Sequence, residues 1–103
     1  MDYKVIITER AGGHLDRIIE YIVLHLKNDF AAISVLDDVE RTYERLRLIA
    51  GSLQLCDDPY LAEKGYRKIG LEKHDYLLLY QIRGNLVYVN GIFHMLENYR
   101  DKL

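Results

Sequence analysis

The fold is decided by residues 76–85, which read Tyr76-Leu77-Leu78-Leu79-Tyr80-Gln81-Ile82-Arg83-Gly84-Asn85. Residues 76–82 are almost continuously apolar, a pattern typical of a central strand with both faces buried. Arg83-Gly84-Asn85 predicts a hairpin turn, so Leu86 to His94 is predicted to form the last strand. Tyr66 to Leu71 has the alternation of a half-buried strand ahead of the central one. Together these segments predict a three-stranded antiparallel meander.

Upstream of the meander, the apolar residues follow a helical period. Tyr3 to Thr8 predicts a short strand, and the Thr8 hydroxyl is placed to cap the helix that follows. Asn28-Asp29 interrupts the helical pattern, and Gly51 ends it. We therefore expect an antiparallel helical hairpin from about residue 9 to residue 50. Its two apolar stripes consist of Ala11, Leu15, Ile18, Ile19, Ile22 and Leu26 in the first helix and of Ile33, Leu36, Val39, Tyr43, Leu46 and Ile49 in the second.

The remaining segments complete the predicted architecture. Residues 52–65 show neither period and contain the turn signal Asp57-Asp58-Pro59, so they predict a connection. Residues 95–103 predict a polar tail. With 103 residues, the chain is long enough for one domain over residues 1–103 and too short for two. The expected fold class is α+β: an N-terminal strand, an antiparallel helical hairpin, then a three-stranded antiparallel meander, with the helices packed on the sheet.

The composition narrows the class of protein. Hydrophobic residues make up 50% and charged residues 29%, which is typical of a folded, soluble protein and excludes a disordered one. The single cysteine, Cys56, excludes an internal disulfide and favours a reducing compartment. Because there is no secretory signal and no apolar run of about 20 residues, we expect a cytoplasmic protein without membrane contact.

Charge is distributed unevenly along the chain. Residues 1–58 carry seven Lys/Arg against eleven Asp/Glu, and residues 59–103 carry seven against five. The net charge of −2 argues against binding nucleic acid through bulk electrostatics. The mildly basic second half either marks where an anionic partner binds or is ordinary surface variation. Tyr76 and Tyr80 share one strand face, which suits either base stacking or core packing.

Metal and cofactor chemistry is not indicated. The chain has no phosphate-binding loop, dinucleotide fingerprint or nucleophile elbow. His14 and His25 share a helix face but lie roughly 16 Å apart along its axis, too far to hold one ion. His74 lies in a turn between strands and has no partner at ligand spacing. Cys56 has no activating neighbour in sequence and is interpreted as an inert thiol.

Three C-terminal segments, together with the order of elements, point to a known family. They are Tyr66-Arg67-Lys68-Ile69, Asp75-Tyr76-Leu77-Leu78-Leu79-Tyr80-Gln81-Ile82 and Ile92-Phe93-His94-Met95-Leu96-Glu97-Asn98-Tyr99, with Thr8-Glu9-Arg10-Ala11 at the helix start. In them the chain resembles the RelE/ParE superfamily of bacterial type II toxins, also called plasmid-stabilisation proteins, over essentially its whole length. The resemblance implies a toxin that a cognate antitoxin protein neutralises and that needs no cofactor and no metal.

The resemblance implies two activities on this fold. RelE-like members cut ribosome-bound mRNA without a metal: the 2′-hydroxyl attacks the adjacent phosphate, basic residues hold the charge, and a further side chain moves protons. ParE-like members poison DNA gyrase by binding, without catalysis. A degenerate member that keeps the fold and the antitoxin contact but is not toxic is a third alternative. The sequence leaves all three open.

Four residues match functional positions of the superfamily. Arg67 and Lys68 match its basic second strand, His94 matches the histidine that ends the last strand, and Tyr99 matches a tyrosine of the tail. In an mRNA endonuclease, Arg67 and Lys68 would hold the scissile phosphate, and His94 or Tyr99 would act in proton transfer. We expect the four residues to form one surface cluster.

Two basic positions of the pattern are absent. Leu77 stands where many ribonuclease members carry an arginine, and Met95-Leu96-Glu97-Asn98 replaces a basic pair after the histidine. Their loss weakens the stabilisation of phosphate charge that RNA cleavage requires.

Overall fold

The computed structural model describes residues 2–103 as a four-stranded sheet with two long helices against one of its faces. The predicted order of strand, helical hairpin and meander is confirmed. The strands are β1 (Lys4–Ile7), β2 (Arg67–Gly70), β3 (Tyr76–Arg83) and β4 (Leu86–His94); the helices are α1 (Glu9–Leu24), α2 (Asp29–Ile49) and α3 (Pro59–Glu63); 3₁₀ turns span Ala50–Ser52 and Tyr99–Lys102.

The sheet has the strand order β1-β4-β3-β2. β3 is antiparallel to both of its neighbours, so the predicted central position of residues 76–82 is confirmed. β1 pairs with β4 in parallel, from Lys4 opposite Leu86 to Ile7 opposite Val89. Parallel strands need a long crossover, which the helical hairpin and the first two strands of the meander supply here. The sheet is therefore mostly antiparallel with one parallel pair at its edge.

Local capping bonds determine where the two long helices begin. The Thr8 hydroxyl accepts a hydrogen bond from the N–H of Ala11 at 3.2 Å and donates to the Val89 carbonyl at 3.0 Å. The predicted cap is confirmed, and it also ties α1 to β4. The Asn28 side chain caps α2 in the same way. Only residues 25–28 separate the helices, so α2 folds back along α1 as an antiparallel hairpin.

The larger core lies between the helices and the sheet. Tyr80 is fully buried there, and its hydroxyl donates to the Ala50 carbonyl at 2.8 Å, which joins the middle of the sheet to the end of α2. Burial raises the pKa of Tyr80 to about 12, so the hydroxyl remains a donor. The buried residues of this core are Ala11, Ile22, Ala32, Val35, Val39, Leu46, Ala50, Ile69, Leu71, Leu78, Tyr80, Val87, Val89 and Ile92.

Three residues of the predicted apolar stripes are exposed instead. Leu26, Ile33 and Leu36 lie on the surface, while Ala32 and Val35 occupy the buried face of α2. The start of α2 is apolar on several faces, so periodicity alone did not identify the buried one. The small side chain of Ala32 lets α2 pack closely in the core. The larger side chains beside it are left facing outward.

A second, smaller core covers the other face of the sheet. Residues 52–65 connect α2 to β2 as predicted, but they also contain a short helix that the sequence did not predict. Asp58 caps α3 through its side chain and Pro59 occupies the first turn, so the turn signal begins a short helix. Five residues are too few to show a helical period. Leu61 of α3 is fully buried. The buried residues of this core are Cys56, Leu61, Tyr66, Leu77, Leu79 and Phe93, with Tyr99 and Leu103 of the tail packed against them.

A buried carboxylate on α2 holds the connection between β2 and β3. Asp38 is 1% exposed. It accepts hydrogen bonds from the backbone N–H groups of Glu72 at 3.2 Å and Lys73 at 2.9 Å, and its Oδ2 lies 2.7 Å from Nδ1 of His74. Burial by itself raises the pKa of Asp38, but these hydrogen bonds outweigh it and hold the pKa below its ordinary value. The helix therefore fixes the loop through a charged, fully paired group.

Candidate functional site

The two basic residues on β2 face opposite sides of the sheet. Arg67 pairs with Tyr80, which belongs to the helix-side core, and Lys68 pairs with Leu79 of the smaller core. Because directly paired residues share a face, the two side chains diverge. The Arg67 guanidinium donates to the Leu53 carbonyl, so it holds the segment after α2 in place. Lys68 is exposed.

His94 and Tyr99 also lie on different sides of the sheet. His94 pairs with Tyr76 at the end of β3, and the two rings meet edge to face with centroids 5.6 Å apart. Tyr99 instead packs against Phe93 of the smaller core, at 5.8 Å between ring centroids. Phe93 and His94 are successive residues of β4 and leave the strand toward opposite faces. At the edge of the sheet, however, the Phe93 ring also contacts the ring of His14 on α1, with centroids 4.8 Å apart.

The four residues therefore do not form the single surface cluster that we expected. On the central strand, Arg67 is opposite Tyr80 and His94 is opposite Tyr76, from the two flanking strands. With about 4.8 Å between strands and about 3.3 Å per residue, their Cα atoms lie roughly 16 Å apart. Sequence spacing suggested proximity because β2 and β4 belong to one small meander. The register along β3 separates them, and their chemical roles stay predictions.

A cavity of about 380 Å³ lies between α1 and the end of β4, and we call it the α1–β4 cavity. Of the four predicted residues, only His94 lines it. The other side chains come mostly from α1 and the tail, which the predicted cluster did not include. The lining residues are His14, Arg17, Ile18, Tyr21, Tyr76, Ile92, Phe93, His94, Glu97 and Lys102.

Both histidines of the α1–β4 cavity accept backbone hydrogen bonds through Nδ1. His14 accepts from the N–H of Ile92, and His94 accepts from the N–H of Leu96, each at 3.2 Å. A ring nitrogen that accepts a hydrogen bond carries no proton, so this pattern assigns the proton of each ring to Nε2. β1 pairs with β4 only as far as Val89. Beyond that residue, at Ile92, the edge of β4 is bonded to His14.

The electrostatics around His14 agree with this assignment. Burial lowers the pKa of His14, and the nearby charges of Arg17 and Arg10 lower it further, so the ring is neutral at pH 7. For Glu97, burial raises the pKa, but hydrogen bonds from Lys102 and from a backbone N–H outweigh it and leave the pKa below its ordinary value. Glu97 is thus a carboxylate already paired with a lysine.

The α1–β4 cavity presents mainly hydrogen-bond donors. Each histidine offers Nε2–H, Arg17 offers its guanidinium, and burial raises the pKa of Tyr76 so that its hydroxyl stays protonated. Such a lining suits an acceptor-rich group. It offers no free base, because the histidine lone pairs are occupied and the Glu97 carboxylate is paired. His14 was missed as a site residue because its contact with β4 is made only by the folded chain.

Three features have no support within residues 2–103: a metal site, a membrane-spanning helix and an activated cysteine. No group of three or more His, Cys, Asp or Glu side chains in this part of the chain is arranged to hold a metal ion. None of the helices described there combines the length and the apolar character needed to cross a membrane. Burial raises the pKa of the Cys56 thiol, the opposite of what activates a cysteine.

Comparison with known proteins identifies the family. A family model described as the ParE toxin of the type II toxin-antitoxin system parDE matches residues 5–99. The chain belongs to the ParE toxin family. The resemblance to the RelE/ParE superfamily is thus confirmed. No curated protein matches the chain.

A solved structure agrees with the fold of this ParE-family chain. A chain of the chromosomal ParDE TA system from P. aeruginosa superposes with a TM-score of 0.71 at 20% sequence identity. The match covers 89% of this chain and 95% of that chain. At such low identity the similarity establishes the shared fold, and functional residues have to be argued from this chain itself.

The ParE-family chain also exposes an apolar surface on its helical hairpin. Phe30 at the start of α2 is 87% exposed. A groove between the helices is lined by apolar side chains of α1 and by Leu36, together with Asp16 and Glu20. Several exposed apolar side chains on neighbouring helices are typical of interaction surfaces. We call this apolar surface the hairpin surface, and it consists of Leu15, Ile19, Val23, Leu24, Leu26, Phe30, Ile33 and Leu36.

Proposed function

We propose that this chain is the toxin of a type II toxin–antitoxin pair and that it arrests growth in the cytoplasm by binding DNA gyrase, without cutting RNA. One observation carries the mechanistic part of the proposal: Arg67 and Lys68, which would hold the phosphate together, are on opposite faces of the sheet, and Arg67 lies roughly 16 Å from His94. Membership of the ParE family favours gyrase over the ribosome as the target.

RNA cleavage through a 2′-hydroxyl needs a base, an acid and cations around one phosphate, all within hydrogen-bond distance. The Arg67 guanidinium already donates to the Leu53 carbonyl, and the Lys68 side chain points to the opposite face of the sheet. His94 has its Nδ1 lone pair occupied and its Nε2 protonated, so it has no lone pair with which to take a proton. These contacts support a protein that acts as a binding module.

Expression of the chain without its antitoxin distinguishes the two mechanisms. We expect DNA supercoiling to fall while ribosome-bound mRNA stays intact, and we expect the purified chain to inhibit purified gyrase. Lys68→Ala and His94→Ala, each confirmed folded by circular dichroism, should leave mRNA equally intact. If the parent cuts mRNA at the ribosome and these variants do not, the RNA-cleaving mechanism holds instead. If the parent does not arrest growth, the chain is a degenerate family member.

We further propose that the antitoxin binds the hairpin surface with an amphipathic segment. The groove between α1 and α2 is lined mostly by apolar side chains, which suits the apolar face of such a segment. Asp16 and Glu20 in its lining favour basic residues on the rim of that segment. Burial of Phe30 alone contributes about 1.5–3 kcal/mol, since the ring is almost fully exposed in the free chain.

A pair of matched substitutions on α2 tests the antitoxin contact. Phe30→Asp should weaken antitoxin binding about 10–150-fold, since about 1.4 kcal/mol corresponds to tenfold in Kd. Leu48→Asp is the control, because Leu48 is also exposed but lies roughly 27 Å further along the helix. In cells, the antitoxin should rescue growth from the Leu48 variant and not from the Phe30 variant. Equal binding of both variants would place the antitoxin elsewhere.

A further inference from the structure

A serine, a histidine and an aspartate form a hydrogen-bonded row where α2 meets the connection between β2 and β3. Ser34 Oγ lies 3.3 Å from Nε2 of His74, and Nδ1 of the same ring lies 2.7 Å from Oδ2 of Asp38. The row is distinct from the α1–β4 cavity and shares no residue with the lining of the groove on the hairpin surface. Neither the family match nor the fold accounts for it.

The sequence builds this row from two separate segments. Ser34 and Asp38 are four residues apart on α2, so their side chains lie one turn apart on one helix face. His74 comes from the connection between β2 and β3, which the Asp38 carboxylate holds by two backbone N–H groups. The Asp38 carboxylate therefore both holds the connection that carries His74 and contacts the His74 ring. Sequence spacing concealed the row because His74 is 36 residues from Asp38.

The hydrogen bonds set the direction in which protons can move. The pKa of Asp38 is held below its ordinary value, so its carboxylate accepts the Nδ1–H of His74. In the neutral ring, Nε2 then carries the lone pair and accepts the Ser34 hydroxyl proton. A hydroxyl within reach of a base that a third group orients is the arrangement of an activated nucleophile. Here Asp38 is a positioning residue, and Ser34 and His74 are the reacting groups.

The surroundings of Ser34 indicate which reactant can approach. Ser34 is exposed on α2, and Phe30 lies one helical turn before it with an almost fully exposed ring. An apolar acyl or aryl group can rest on that ring while its carbonyl carbon faces the hydroxyl. The N–H of Ser34 lies inside α2 and is used by the helix, so it cannot stabilise an oxyanion. The site is therefore suited to a single attack of the Ser34 hydroxyl on a carbonyl carbon, and not to repeated catalytic turnover.

We propose that Ser34 is an acyl-acceptor site, activated by His74 and Asp38, for esters with a good leaving group. The Ser34 oxygen attacks the ester carbonyl carbon while its proton passes to Nε2 of His74. The bond from that carbon to the leaving oxygen breaks, and the oxygen keeps the electron pair and takes the proton from His74. The products are an acyl ester of Ser34 and a free phenol, and the chain is modified once.

Labelling with p-nitrophenyl acetate tests the site on the intact chain. Trypsin releases residues 28–41 as a peptide without lysine, histidine, tyrosine or cysteine, so acetyl groups introduced into it before digestion report Ser34. The other serine, Ser52, donates to the Ile49 carbonyl and provides the internal reference. Activation by a positioned base contributes about 10²–10⁴-fold, so we expect Ser34 to be acetylated at least about 100-fold faster than Ser52.

Substitutions separate activation from simple exposure. His74→Ala should lower the Ser34 rate to that of Ser52, whereas His25→Ala, which removes an exposed histidine, should leave it unchanged. For Asp38→Asn, histidine ¹⁵N chemical shifts should show His74 leaving the Nδ1–H tautomer, with the rate falling in parallel. Equal rates at Ser34 and Ser52 in the folded parent would overturn the proposal. So would fast labelling of Ser34 that survives His74→Ala.

Discussion

Replacing Asp38 with alanine tests whether the buried carboxylate stabilises the fold by pairing the loop between β2 and β3. The change removes the acceptor of two backbone N–H groups, those of Glu72 and Lys73, and of the ring of His74. The N–H groups are partly buried, so each costs about 1 kcal/mol when unpaired, and the charge-assisted bond to the ring contributes about 2 kcal/mol. The expected loss is about 4 kcal/mol, much of the 5–15 kcal/mol typical of a domain.

The pH dependence of this loss follows from the direction of the Asp38 pKa shift. The folded pKa lies below the ordinary value of 3.8, so the carboxylate stabilises the folded state above that value. Its contribution is lost as pH falls through the folded pKa. The difference in unfolding free energy between the parent and Asp38→Ala should therefore be constant from pH 7 to pH 5 and shrink toward pH 3.

Urea denaturation followed by circular dichroism at pH 7, 5 and 3 measures both quantities. Asp38→Asn is the graded control, because its side-chain oxygen keeps one acceptor without the charge, and it should lose about half as much. A loss below about 1 kcal/mol for Asp38→Ala at pH 7, or a difference that grows on acidification, would refute the reasoning.

Four further substitutions test the packing of the sheet and the space around α1. Leu78→Ala, in the centre of the larger core, should cost about 2–5 kcal/mol by urea denaturation, and a change under half a kcal/mol would mean that the side chain is not buried as described. Tyr80→Phe should cost about 1 kcal/mol, because a buried backbone carbonyl loses its donor; no loss would argue against that bond. Gly91→Ala places a Cβ 2.4 Å from the Phe93 ring and should lower stability by about 1–3 kcal/mol. Gly12→Ala on α1, with open space around it, should instead raise the Tm. A Gly91→Ala variant more stable than the Gly12→Ala variant would contradict the packing.

The fold could be predicted from the sequence where periodicity and turn chemistry agree. Residues 76–82 are apolar on both faces because the sheet is covered on both, and Thr8 and Asn28 cap helices where the pattern changes. The short helix α3 was missed because five residues show no period. Ile33 and Leu36 are exposed although the sequence predicted them to be buried, because α2 begins with apolar residues on several faces.

The site was harder to predict because it depends on register and on contacts between distant segments. Arg67 and Lys68 are neighbours in sequence, and this adjacency is what sends their side chains to opposite faces of a strand. His14 reaches the edge of β4 across 78 residues of sequence, and no local pattern predicts such a contact. In the sequence alone, His14 cannot be distinguished from an ordinary surface histidine, because its contact with β4 exists only in the folded chain.

The parallel pairing of β1 with β4 has a consequence for how the chain is made. β1 is synthesised before its partner β4, which begins only at Leu86. At about 5–20 residues per second, synthesis of the chain between Ile7 and Leu86 takes on the order of 4–16 s. Until β4 is made, the sheet against which the helical hairpin packs is incomplete, and apolar side chains of the hairpin stay open to any binding protein already present. An antitoxin could therefore bind the hairpin during translation, before the sheet is complete.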